Sequence, residues 1–138
     1  MISICSLNSV ILLGGQTHKI IINPDVLNNS SKDYIAATMF HDALHGFLNY
    51  ERTRLITEGK GDQFGILYSG WTAVNVNQHN NFGTQLDKLV QAIQSFNPNL
   101  SKYDALALAK NGIVNNLDVV ESSVNSTHRD GKASTKCD

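Results

Sequence analysis

The sequence predicts an α+β domain, a short antiparallel sheet packed on one long helix with two further helices behind it, and three observations carry that prediction. Residues 9–13 (SVILL) and 18–22 (HKIII) are β-branched runs flanking the turn-rich tetrad GGQT, the signature of a hairpin. Ala36, Phe40, Ala43, Leu44 and Phe47 recur at helical spacing, and so do Phe82, Leu86, Leu89, Val90, Ile93 and Phe96. With 138 residues and 41% hydrophobic content the chain is long enough for one domain with a real core and too short for two of ordinary size.

After the hairpin, Asn23-Pro24-Asp25 ends the strand region. A helix from about Lys32 to Arg54 follows, with Ser30 or Ser31 as N-cap and Asp33 in the first turn, where a negative charge suits the helix dipole. Its five apolar positions form the expected buried stripe. Between Thr57 and Asn77 four glycines and the aromatics Phe64, Tyr68 and Trp71 show no helical periodicity, so this segment reads as a loop or short strands. A second helix spans about 78–96 and stops at Asn97-Pro98. Ser101-x-x-Asp104, a start signal of capping-box type with Asp in place of Glu, opens a short Ala/Leu helix ending at Asn111-Gly112. Past Glu121 the chain turns polar, and residues 122–138 read as a loosely held tail.

Charge narrows the partners. Lys+Arg 11 against Asp+Glu 12 gives a net charge of -1, so no broad positive field recommends a nucleic acid or an anionic membrane. No apolar run approaches the length of a membrane span, and no basic segment precedes the run Val10 to Leu13, so a soluble domain is expected. Cys5 and Cys137 near opposite ends allow one disulfide without specifying it.

The chemistry concentrates at residues 36–53. His41 and His45 are four apart, so on a helix they lie about 40° apart on one face, one turn above the other, and can point at one metal ion. Zinc takes neutral imidazole nitrogens, and a catalytic site uses three protein ligands, so a third must come from elsewhere.

His41-Asp42-Ala43-Leu44-His45 resembles the HExxH helix of the zincin metallopeptidases, with aspartate in place of glutamate. The wider pattern is similar to small bacterial, broadly SprT-like domains, often found at the C-terminal end of larger secreted or toxin-type proteins. It comprises Asn23-Pro24 and Tyr34-Ile35-Ala36-Ala37-Thr38 ahead of the pair and Asn77-Gln78-His79-Asn80 after it. Tyr103 to Gly112 and Lys136-Cys137 look like the family's closing pattern, so the likeness spans about residues 18–137. It implies a zincin-like fold and zinc-dependent hydrolysis of peptide bonds in a peptide or protein substrate. His41, His45 and His79 would hold Zn2+ and Asp42 would act as general base.

Glu58 ranks second and Glu51 third as alternatives to His79. Glu51 stands where HExxHxxGxxH peptidases carry their third ligand, but the helix-breaking glycine is replaced by Leu48. Asp42 is one methylene shorter than glutamate, which draws its carboxylate back by roughly 1.5 Å, and a misplacement of about 1 Å can cost on the order of 10²-fold in rate. Asn80, where relatives often have an acidic residue, removes a partner for a ligand. Phe64, Tyr68 and Trp71 could wall a cleft or simply fill the core. Tyr68 or His128 could stabilise an oxyanion.

Two readings from other classes stand beside this one. Met39 to His45 also resembles the motif of the HD phosphohydrolases, in which adjacent His and Asp both bind metal and an earlier histidine and a later aspartate complete the site; His18 is the only earlier histidine. That family is all-helical. The third reading is a non-catalytic metal-binding domain, interaction or toxin-associated.

Overall fold

The computed structural model describes residues 4–13, 15–67, 83–113 and 117–138. Within them the chain forms an α+β fold with one two-stranded antiparallel sheet and six helices. β1 (Asn8–Leu13) pairs with β2 (Gln16–Ile21) in a register that places Leu13 opposite Gln16, and Gly15 takes φ 80° in the tight turn between them. Strand alternation sends Ile11 and Ile20 inward while Val10, Leu12 and Ile21 stay exposed.

Asn23-Pro24-Asp25 ends the strand and also starts a helix. The Asn23 side chain accepts the Asp25 N–H at 2.9 Å, and proline, whose missing N–H costs nothing at this position, opens α1 (Pro24–Asn29). Ser31 caps α2 (Lys32–Thr57), its hydroxyl oxygen accepting the Tyr34 N–H at 3.2 Å. The helix runs one turn beyond Arg54. That residue bonds Glu51 one turn back and Glu58 one turn on, which holds the last turn together.

α2 has no single buried stripe because it is the central element. On one side Ile35 and Met39 pack with Ile11, Ile20, Ile22 and Leu27 under the hairpin. On the other, Ala37, Leu48 and Leu55 join a larger core with Leu89, Val90, Ile93 and Leu108. Of the five stripe residues only Ala36 is fully buried; Phe40, Ala43, Leu44 and Phe47 are half-buried.

The glycine-rich segment departs from expectation. It contains a short helix, α3 (Gln63–Leu67), and Phe64 is buried in the larger core rather than walling a cleft. α4 (Gly83–Phe96) matches the second helix expected from the sequence where described, and stops before Asn97-Pro98; residues 78–82 lie outside the described set. α5 (Lys102–Lys110) ends at Asn111 as the sequence indicates. Ser101 caps it by accepting the Asp104 N–H, with no reciprocal bond.

The loosely held tail is not observed. Residues 119–129 form α6 (Val119–Arg129), opened by a reciprocal capping box between Asp118 and Glu121. Its core-facing positions are Glu121, Asn125 and His128, at helical spacing but polar, which is why a search for apolar periodicity misses it. Glu121 meets Lys110 and Asn125 donates to the Ala107 carbonyl at 2.8 Å, both on α5, while His128 meets Ser31 at the start of α2. A disulfide joins Cys5 to Cys137. No described helix is long and apolar enough to cross a membrane.

Candidate functional site

The uninterrupted α2 brings His41 and His45 together. Their Nε2 atoms lie 2.9 Å apart, with ring centroids 4.5 Å apart and planes at 72°. One nitrogen must donate and the other accept, so the pair in this form carries no more than one proton between them on these atoms. His41 is half-buried and His45 exposed. Burial holds His41 below the ordinary histidine value, proximity to His45 adds to the effect, and Asp42 opposes it. A neutral imidazole is the form a metal ligand requires.

Tetrahedral zinc with bonds of about 2.0–2.1 Å would hold two ligand nitrogens about 3.3–3.4 Å apart, so this pair needs to open by only about 0.4 Å. The donor set fits as two ligands of three. Nδ1 of His41 is buried and has no hydrogen-bond partner among the described residues. Ligation through Nε2 would place the proton on Nδ1, where an acceptor normally fixes the ring.

A cavity of about 200 Å³ opens beside His41, between α1, α2 and α5. Tyr34 and Thr38 continue the His41 face toward the N-terminus of α2, and Val26 and Leu108 supply apolar wall. Asn111 and Gly112 close it from the end of α5, and Asn111 Nδ2 donates to the Tyr34 hydroxyl oxygen at 3.1 Å. Gly112 takes φ 80°, and a Cβ there would sit 3.6 Å from Cε1 of His41, so the backbone itself approaches the imidazole. In the sequence Asn111-Gly112 is only a helix stop; nothing in it signals that this stop abuts a histidine 71 positions earlier.

Asp42 is half-buried on the next position of the helix, and its carboxylate acts on His41 through space. His79 and its neighbours Asn77 and Asn80 lie outside the described residues, as do Tyr68 and Trp71, so the expected third ligand is not placed. Both carboxylate alternatives are tied up elsewhere. Glu51 accepts two bonds from Arg54 and Glu58 accepts one, all at 2.9 Å. Along an unbroken helix Glu51 is also about 9 Å beyond His45, and Glu58 about 20 Å. Among the described residues no three His, Cys, Asp or Glu side chains form a metal-binding group.

His128 serves a different place. Only 3% exposed, it holds Nδ1 2.8 Å from Ser31 Oγ at the N-terminus of α2, so its ring supports the helix start. Burial pushes His128 below its ordinary value, against the pull of Asp33 and Asp104. His18, whose Nε2 is buried with no hydrogen-bond partner among the described residues, belongs to the hairpin opposite Ile11. Comparison with protein-family models, curated proteins and solved structures returned no match.

Proposed function

We propose that the domain is a zinc-dependent peptide hydrolase of zincin-like type, with His41, His45 and His79 as ligands and Asp42 as general base. The observation that carries the reading is the convergence of the two Nε2 atoms at 2.9 Å on the face of one helix. The lowered proton affinity of His41 and the cavity beside it add support.

Bound zinc supplies a Lewis acid that polarises the scissile carbonyl and lowers the pKa of water. The protein's residues do the rest. A carboxylate oxygen of Asp42 takes the proton from the attacking water and passes it to the leaving amine. Its short side chain makes this step slower than glutamate would. The cavity receives a substrate side chain: an apolar cavity of about 150 Å³ takes a benzene-sized group, so about 200 Å³ walled in part by Val26, Ala37 and Leu108 suits one leucine- or phenylalanine-sized residue. Thr38 and Asn111 offer polar atoms at its walls.

The HD reading requires His18, His41 and Asp42 to share a metal in an all-helical fold. All three are described, they form no such group, and the fold contains a hairpin. The peptidase reading is therefore preferred. Its test is cleavage of a peptide library with and without chelator, for the wild type and His41→Ala. Chelator-sensitive cleavage lost in the variant is expected; phosphatase turnover without peptide cleavage would overturn the proposal.

A further inference from the structure

The last residues of the chain form a strap across the first turn of α2. A helix start leaves backbone N–H groups without partners inside the helix. Here the chain's own C-terminal region supplies two of them: the His128 carbonyl accepts the Ser31 N–H at 2.8 Å and the Thr135 carbonyl accepts the Lys32 N–H at 2.7 Å. Ser134 Oγ donates to Asp33 at 2.7 Å, and Ser31 and Lys136 form an isolated β-bridge. The turn that sends the strap back is built for it. Gly131 has φ 70°, and a Cβ there would fall 2.4 Å from the Asn29 carbonyl oxygen.

Apolar packing contributes little to this attachment. Of residues 130–138 only Cys137 packs against a core cluster, and the others make polar contacts or face solvent. The covalent fastening is thus the Cys5–Cys137 bond, and Cys5 lies on the surface. Exposed disulfides are the ones open to exchange, while buried structural bonds resist it.

We propose that Cys5–Cys137 is a redox latch for the start of α2, opened by a dithiol reductant. One reductant thiolate attacks a sulfur of the pair, forming a mixed disulfide and releasing the other cysteine thiolate. The second reductant thiol then displaces the first cysteine. The reductant ends as a disulfide, and Cys5 and Cys137 each end as a protonated thiol, so two electrons and two protons are transferred. Release of the strap takes the Thr135 carbonyl from Lys32 and the Ser134 hydroxyl from Asp33. The first turn of α2 then frays, and Tyr34, in that turn, carries one wall of the cavity beside His41. The latch thereby regulates access to the proposed site, yet its structural basis does not depend on a bound metal.

Amide hydrogen exchange on the full chain, before and after dithiothreitol, tests this. Exchange at Lys32, whose acceptor lies on the strap, is expected to rise at least about tenfold on reduction and to recover on reoxidation, while Ala105 in α5 changes less than about twofold. The double variant Cys5→Ser/Cys137→Ser is expected to stay open with or without reductant. Ser134→Ala, with the disulfide intact, should raise exchange at the first turn by a smaller factor. Unchanged exchange at Lys32 after reduction would overturn the proposal, and so would an equal rise at Ala105, which would make the bond a staple for the whole fold. Absence of peptide cleavage in both the oxidised and the reduced protein would count against the peptidase reading, while the exchange outcomes still decide the latch.

Discussion

Asp33 and Asp42 stand nine residues apart on one helix and occupy opposite surroundings. Asp33 is 2% exposed and accepts bonds from Asn97 Nδ2 at 3.0 and 3.2 Å and from Ser134 at 2.7 Å. Around it Ser31, His128 and the strap complete the helix start, so the charge there holds the fold together. Asp42 sits beside two histidines that meet each other, one of which, His41, lines a cavity. The same residue type is structural at Asp33, where donors take up its lone pairs, and is the proposed general base at Asp42. The N-terminal turn of α2 is the domain's fastening, and the turn from His41 to His45 is what it positions.

The largest expected break in this contrast is Asp33→Ala. It removes a buried acceptor of three hydrogen bonds and leaves half-buried donors on Asn97 and Ser134 without it, so urea unfolding should show a loss of about 2 kcal/mol. Asp42→Ala, by the same measurement, should stay within about 0.5 kcal/mol of wild type. Equal losses would erase the distinction between the two turns.

Activity should respond in the reverse order. Asp42→Glu restores the missing methylene and is expected to raise peptide turnover on the order of 10²-fold, while leaving the unfolding midpoint nearly unchanged. A fall in turnover would show that α2 already lies close enough to the metal for aspartate to be the fitted base.

How much of this the sequence discloses depends on what kind of signal each part leaves. Gly15, the Asn23-Pro24 stop, the Ser31 cap and the end of α5 at Asn111 leave local signals, and each appears in the chain where turn and cap chemistry place it. The histidine pair is legible for the same reason, because helix geometry alone brings i and i+4 together. α6 was hidden because its buried face is Glu121, Asn125 and His128, polar residues whose bonds are made to α5 and to the start of α2. α2's stripe was blurred because two cores share the helix. Nor could spacing reveal that Gly112 abuts His41 or that Cys137 returns to Cys5, since both depend on how distant elements pack.

A smaller effect probes the approach of Gly112. Gly112→Ala meets the left-handed backbone penalty of about 1–2 kcal/mol, with the new Cβ in ordinary contact with the imidazole. Thermal unfolding should register that loss. Chemical shifts of the His41 ring should move with it, and shifts confined to α5 would detach Gly112 from the site.

The smallest expected effect concerns pH at the fastening. His128 is held below the ordinary value of 6.5 in the folded chain, so beneath that value the unfolded chain binds more protons. Its contribution to stability is fully present above about pH 6.5 and is lost as pH falls through the window down to the folded value. Urea midpoints should fall across that window in the wild type, and His128→Gln should flatten the slope. An unchanged slope would assign the dependence to other groups.

Metal stoichiometry tests the central claim most directly. Metal content of the purified protein after dialysis against zinc, repeated for His41→Ala, His45→Ala and His79→Ala with folding verified by circular dichroism, decides it. About one tightly held zinc per chain is expected in the wild type, with loss of retention in each variant; full retention in all three, or none in the wild type, would contradict the account.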